Sequence, residues 1–189
     1  MKYVIEGLFV TPVYYTVIDD INKIQSEIGN AIANTEFNGA PQVWGKSVNV
    51  TNLAADIIKE HNMVSLEETI DFHLQNYCKD VGFQFKEYTK TSWLSKAEEN
   101  SYTHVHDHSY TDISGCYYYQ TNGEDGNIFF IPPTPASSSY CFQNFAERWD
   151  HKPIVGKLLL FPSYLLHGVK TNTTNTTRIS LSFSIQFKR

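Results

Sequence analysis

Arg178-Ile179-Ser180-Leu181-Ser182-Phe183-Ser184-Ile185-Gln186-Phe187 alternates throughout: Ile179, Leu181, Phe183, Ile185 and Phe187 share one face, and Arg178, Ser180, Ser182, Ser184 and Gln186 the other. A period of two makes this a strand. Its apolar face needs a cover, and its polar face is out of place in a packed sandwich core, because buried polar groups need partners. A curled sheet with a polar interior, forming a barrel that holds a charged ligand, meets both demands. Arg178 sharpens the point. Guanidinium keeps its charge and suits a carboxylate in bidentate geometry, so on an inward face it calls for an anion, and Ser180 on the same face can donate a second hydrogen bond.

The same period runs, less cleanly, through 83–93, 102–108, 112–120, 127–131 and 157–161. Gly123-Glu124-Asp125-Gly126 is predicted as a hairpin turn and 171–177 as a second polar reversal. Before residue 83 the period is helical. Ile21, Ile24, Ile28 and Ile32 follow Asp19-Asp20, which supply N-cap chemistry. Two more helices are predicted over 53–60 and 65–80, the second opening on the capping-box pattern Ser65-Leu66-Glu67-Glu68. A proline-bearing edge strand, or two short strands, is predicted within 8–17, and 39–45 reads as a polar, glycine-bearing loop. Segregated helices and strands give an α+β class. The expected organisation is one domain over 1–189, with 1–82 mostly helical support and 83–189 the barrel; the amphipathic helices cover the outer face of one sheet. Residues 132–152, rich in proline and serine, are predicted as a long loop whose Tyr140, Phe142, Phe145 and Trp149 make it a candidate lid.

Composition excludes several classes. The 189 residues are 41% hydrophobic and 14% aromatic, enough for a sizeable core. Net charge is −5 with no stripe of lysine or arginine, which argues against a nucleic-acid partner. No apolar run approaches the roughly 18 to 20 residues of a membrane span, and the first residues lack a signal-peptide stretch, so a cytoplasmic protein is expected. Cys78, Cys116 and Cys141 are odd in number and share no metal-type spacing, which suits free thiols.

The chemistry concentrates in Tyr102-Thr103-His104-Val105-His106-Asp107-His108. On an unbroken strand the even positions project to one side, Val105 and Asp107 to the other. Two imidazoles at such spacing, completed by a remote third, make a facial metal site with open positions opposite. His167 is the remote candidate, just beyond Gly156-Lys157-Leu158-Leu159-Leu160-Phe161-Pro162-Ser163, which reads as a buried strand stopped by proline.

In these elements the chain resembles the 2-oxoglutarate and iron(II)-dependent oxygenases, with their double-stranded β-helix, a His-X-Asp/Glu pair, a distal histidine and an arginine followed two positions later by serine. More narrowly it resembles a small subfamily with His-X-His, then Ser-Gly-(apolar)-Tyr-Tyr, here Ser114-Gly115-Cys116-Tyr117-Tyr118, then the Gly156–Ser163 strand before the histidine. The likeness covers about 93–187. It implies a jelly-roll or cupin-like barrel and, as cofactors, Fe(II) with 2-oxoglutarate as co-substrate. The implied ligands are His104, His106 and His167, and the implied co-substrate contacts are Arg178, Ser180 and Tyr118. Tyr117 or Tyr119 replaces Tyr118 if the register differs. The departure is at His106, where the broader family carries a carboxylate. Asp107, Asp112 and His108 are the other candidates for that position. Three neutral imidazoles leave the metal more positive and favour an anionic co-substrate.

The implied activity is hydroxylation of a C–H bond, with succinate and CO2 as co-products. The rival readings are a three-histidine cupin-like dioxygenase independent of 2-oxoglutarate and a non-catalytic jelly-roll binding module. The sequence leaves open whether the substrate is a small molecule or a protein side chain, and the oligomeric state.

Overall fold

The structure is a computed structural model that describes residues 10–41, 44–108, 110–133 and 148–188. Its sheet runs β1 (Tyr14–Val17), β8 (Lys157–Pro162), β5 (Ile113–Gln120), β10 (Arg178–Phe187), β4 (Tyr88–His106), β9 (His167–Val169), β6 (Ile128–Phe130), β7 (Trp149–His151), with β3 (Gly45–Val50) on β4 and β2 (Asn38–Gly39) on β3. All the paired strands are antiparallel. The molecule is a double-stranded β-helix with, among the described residues, three α-helices, α1 (Asn22–Ala33), α2 (Ile57–Glu60) and α3 (Val64–Asp80).

β4 turns the sheet back on itself. Its first half pairs with β10, from Tyr88↔Phe187 to Ala97↔Arg178, and its end pairs with β9 at Thr103↔Val169 and His106↔His167. One strand thus belongs to both layers, and the space between the layers is the interior that the polar face of β10 looks into.

The other face of β10 meets the helices. Leu181 and Ile185 are fully buried with Leu94, Leu158 and Leu160 against Ile24 and Ile28 of α1, Ile57 and Ile58 of α2, and Leu66, Ile70 and Leu74 of α3. Burial of these side chains, worth about 1.5–3 kcal/mol each, holds the helical layer on the sheet.

The helix starts differ from the expected ones. α1 begins at Asn22 with Ile21 as N-cap and no side-chain cap bond, so Asp19-Asp20 do not cap it. α2 is limited to Ile57–Glu60, where Asp56 caps Lys59 N–H at 3.4 Å. In α3 Ser65 lies inside the helix rather than at its cap. The Glu27 carboxylate of α1 instead accepts from the N–H of Ser65 at 2.8 Å and of Leu66 at 3.0 Å. A neighbouring helix therefore supplies the acceptor that the capping box was expected to supply, at the positive end of the α3 dipole.

The connections also correct the expected turns. Gly123–Gly126 closes no hairpin: β5 pairs with β8 and β10, whereas β6 pairs with β7 and β9, so this link crosses between layers. Residues 171–177 do not reverse the chain either. β9 and β10 both run antiparallel to β4 on the same edge, and the segment leaves that edge and rejoins it. Asn172, fully buried, pins the excursion through Nδ2 to the carbonyls of Ala97 at 3.1 Å and Thr176 at 2.8 Å. The region read as mostly helical also holds β1, β2 and β3, and the strand expected from residue 83 begins at Tyr88. Phe83 and Phe85 stack on Phe187 instead, at 4.9 and 4.8 Å between ring centres.

Candidate metal centre and co-substrate pocket

A cavity between the layers is lined by His106, His108 and His167, and also by Tyr118, Arg178 and Ser180. The inward face of β10 supplies Arg178, Ser180 and Ser182; β5 supplies Ser114, Cys116 and Tyr118. Register alone explains this assembly, since Ser180 lies across from Ser95 on one side and Tyr118 on the other.

The histidine cluster is His106, His108 and His167, with one ligand atom from each lying within 4.8 Å of the others. His104 is not part of it. It is exposed, on the other side of β4, where it packs edge-on against Tyr102 and borders an outer groove with Phe129 and Arg148. The structure therefore does not bring His104 together with His106 and His167, and the reason is a bulge. Between Thr103 and His106 β4 takes three steps while β9 takes two, from Val169 to His167. One extra residue inverts the parity, so Thr103 lines the cavity before the bulge and His106 and His108 line it after. His108, expected only as an alternative to His106, joins the cluster beside His106 in place of His104. His106-Asp107-His108 is itself a His-X-His pair, so the signal was present and its frame was ambiguous.

Backbone carbonyls set the imidazoles. His106 Nδ1 lies 2.8 Å from the His104 carbonyl, and His167 Nδ1 lies 2.8 Å from the Leu165 carbonyl. A carbonyl only accepts, so both Nδ1 atoms carry the proton and both Nε2 lone pairs are free for a cation. His108 is held through its backbone: its N–H donates to the Ser163 carbonyl at 2.9 Å, and its carbonyl accepts from Thr111 N–H and Oγ1 at 2.9 and 3.0 Å. Ser163 Oγ bonds Thr111 Oγ1 at 2.9 Å and Ser114 Oγ at 2.8 Å, tying this loop to β5 and β8.

Burial keeps the His108 and His167 rings neutral. Desolvation, then the neighbouring His106, pushes His108 down to about 4, and the same two causes push His167 down to about 3. A neutral imidazole is the form that binds metal. Trp44 stacks on His106 at 6.0 Å and Phe161 lies edge-on to His167 at 4.8 Å, so aromatic walls limit water around the ligand atoms.

The carboxylates considered for the third position lie elsewhere. Asp112 Oδ2 accepts from Phe187 N–H at 2.8 Å, at the far end of β10. Asp107 borders a neighbouring recess rather than joining the cluster. The donor set is three nitrogens, which suits iron, zinc, copper or nickel.

At the other end Arg178 is 5% exposed. Its Nη1 donates to the carbonyls of Asp125 and Gly126, the latter at 2.9 Å. Gly126 is required there: at φ +103 a Cβ would stand 2.3 Å from the Lys170 carbonyl and 2.9 Å from Arg178 Nη1. The buried Asp125 carboxylate is engaged by Thr121 Oγ1 at 2.7 Å and Asn122 N–H at 2.9 Å. No ion pair links Arg178 to a carboxylate among the described residues. Tyr118 is buried beside it, and desolvation raises its hydroxyl well above the usual value, which keeps the phenol a donor. Tyr117 faces the helices and Tyr119 packs on the same core, so neither replaces it. The cavity thus joins a histidine end that could hold a metal ion to a cationic end, a layout that suits a small dianion bridging the two.

Of the expected lid, Tyr140, Phe142 and Phe145 lie outside the described residues. Trp149 is 70% exposed on β7, so this part of the predicted loop is a strand, and it does not line the cavity. Cys78 and Cys116 are buried free thiols; Cys141 lies outside the described residues. No helix among the described residues is long and apolar enough to cross a membrane.

Residues 91–184 match the family model described as "Putative 2OG-Fe(II) oxygenase". A prolyl-4-hydroxylase from Pseudomonas putida superimposes with a TM-score of 0.68 at 12% identity, over 96% of each chain. The α-ketoglutarate-dependent epimerase SnoN of nogalamycin biosynthesis gives 0.68 at 14% identity, over 94% of this chain and 78% of its own. HygX from Streptomyces hygroscopicus, with nickel and 2-oxoglutarate bound, gives 0.64 at 11% identity, over 94% and 84%. No curated protein sequence matches the chain.

Proposed function

The chain belongs to the 2-oxoglutarate- and iron(II)-dependent oxygenases, and we propose that it is a hydroxylase whose iron is held by His106, His108 and His167 and whose co-substrate is held by Arg178, Ser180 and Tyr118. The single observation that carries the residue assignment is the shared cavity, with free imidazole lone pairs at one end and a buried arginine without a carboxylate partner among the described residues at the other. The residues fit the groups. Three neutral nitrogens suit a divalent transition ion, and guanidinium, phenol and serine hydroxyl suit a carboxylate.

Iron(II) with bound 2-oxoglutarate supplies the oxidising chemistry, consuming dioxygen and releasing succinate and CO2. The protein's part is placement. Arg178 fixes the distal carboxylate by charge, Tyr118 donates its hydroxyl to it, and the Nδ1 bonds of His106 and His167 hold their rings in one tautomer. Hydroxylation is the simplest outcome of such placement, and a structural neighbour titled a prolyl-4-hydroxylase supports it. The epimerase neighbour shows that the fold also serves other outcomes.

The test is anaerobic titration of Fe(II) and 2-oxoglutarate by calorimetry, followed by succinate release on admission of dioxygen without any added substrate. Metal-dependent 2-oxoglutarate binding and slow succinate formation are expected. Metal binding with no affinity for 2-oxoglutarate would instead favour the cupin-like dioxygenase.

A further inference from the structure

Two of the clustered imidazoles differ in how they are enclosed. His167 is 5% exposed and has Phe161 and Phe130 around it, at 4.8 and 6.1 Å between ring centres. His106 is half-buried at the end of β4, and its chain neighbours Val105 and Asp107 are exposed. Its Nδ1 bonds the His104 carbonyl at 2.8 Å. One such bond fixes the tautomer but lets the ring rock about the N–H···O axis, so the aim of Nε2 needs a second restraint.

Trp44 is placed to give it. Its indole lies nearly parallel to the His106 ring, 6.0 Å between centres at 17°, an offset stack whose flat face opposes such rocking. Trp93, 7% exposed, backs the indole at 6.1 Å and 59° and stands 5.9 Å from His108. The indole is therefore itself supported.

The backbone around Trp44 is shaped to hold it there. Its N–H donates to the Pro41 carbonyl at 2.8 Å, closing a turn. Gly45 then presses so close to β4 that a Cβ would stand 1.9 Å from the Tyr102 carbonyl. Between Lys46 and Val48 the register of β3 on β4 shifts, and there Ser47 takes a left-handed φ of +55 while its carbonyl accepts from Ser101 Oγ at 2.5 Å. A non-glycine residue in that conformation is uncommon and persists only where its surroundings hold it. Beyond the shift, Val48 and Val50 line the cavity with Trp44.

We propose that Trp44 is a positioning residue for the metal centre: its flat indole holds the plane of the His106 ring and so keeps Nε2 aimed into the cavity. The proposal rests on the assignment of His106 as a ligand. It requires a flat face, whereas simple packing would require only apolar bulk.

The test compares Trp44→Phe, which keeps a flat ring, with Trp44→Leu and Trp44→Met, which fill space without one. Co(II) is titrated anaerobically into each protein by calorimetry, its visible ligand-field bands report the ligand geometry, and the melting temperature without metal reports the fold. In the Leu and Met variants Co(II) affinity should fall about tenfold, the low end of the loss found for partners that orient a ligand, with the bands altered from the parent's. Trp44→Phe should stay within about threefold of the parent and keep its bands. Parental affinity and bands in the Leu and Met variants, an equal loss in all three variants, or a Phe variant that folds while neither Leu nor Met does would each overturn the role of Trp44 while His106→Ala still loses metal. A parent protein that binds no Co(II), or a His106→Ala protein that binds it as tightly as the parent, would overturn the ligand assignment instead, and the role of Trp44 with it.

Discussion

The two ends of the cavity are built on different principles. At the arginine end a permanent charge sits on β10, which is paired along its length by β4 and β5. Carbonyls of the 123–126 link hold the guanidinium from behind. At the histidine end three imidazole rings come from the bulged tip of β4, the segment just beyond it and the short strand β9. There the fixing is local, by a carbonyl two residues back for His106 and His167 and by the Thr111–Ser163 bonds for His108. A fixed charge is costly to bury but needs little orientation, whereas a lone pair is cheap to bury and works only if aimed. Regular pairing suffices for the first, and the second requires irregular backbone.

The largest effect should come from breaking the histidine end. His106→Ala or His167→Ala removes a proposed ligand whose ring is already oriented, and Fe(II) affinity should fall by more than ~100-fold, beyond the loss typical of outer-shell changes, with succinate formation abolished. Calorimetric metal titration and a succinate assay check it. Full turnover in either variant would end the assignment of these residues.

Arg178→Ala breaks the other end and should separate the two. Losing charge-assisted hydrogen bonds worth about 1.5–3 kcal/mol should raise the 2-oxoglutarate requirement by ~10–100-fold, while Fe(II) affinity stays within about threefold of the parent. Loss of both together would mean that the ends are not independent. Tyr118→Phe, which removes one neutral donor and keeps the ring, should cost about 1 kcal/mol, a rise of roughly fivefold in the same requirement. A comparable fall in metal affinity would place Tyr118 at the wrong end.

This division also decided what the sequence could reveal. The alternation of β10 read directly into an inward Arg178 and Ser180 and an outward Leu181 and Ile185, because ladders on both sides hold the strand to a period of two. The helical layer was legible for the same reason, through the spacing of Ile24 and Ile28, although its caps were not, since Glu27 reaches α3 from a different helix. β9, only three residues long, and β3, within a polar stretch, carried too little pattern to be seen. Neither did the crossing link at 123–126, whose glycines suit a hairpin equally well. At the metal, the histidine run announced a site, but parity holds only along an unbroken ladder, and the extra residue between Thr103 and His106 moved the frame by one.

The smallest expected effect is the most direct test of that frame. His104 is exposed and shares its side of β4 with Tyr102, and what it gives the centre is its backbone carbonyl, bonded to His106 Nδ1. His104→Ala keeps that carbonyl, so Fe(II) and 2-oxoglutarate affinities should both change by less than about twofold, as for an exposed substitution worth within about 0.5 kcal/mol. His108→Ala, two turns of the pleat further along, should lose metal on the scale of His106→Ala. Reversal of the two results would mean that β4 runs without its bulge when metal is bound, and that strand parity, not the register of β4 on β9, sets the ligands.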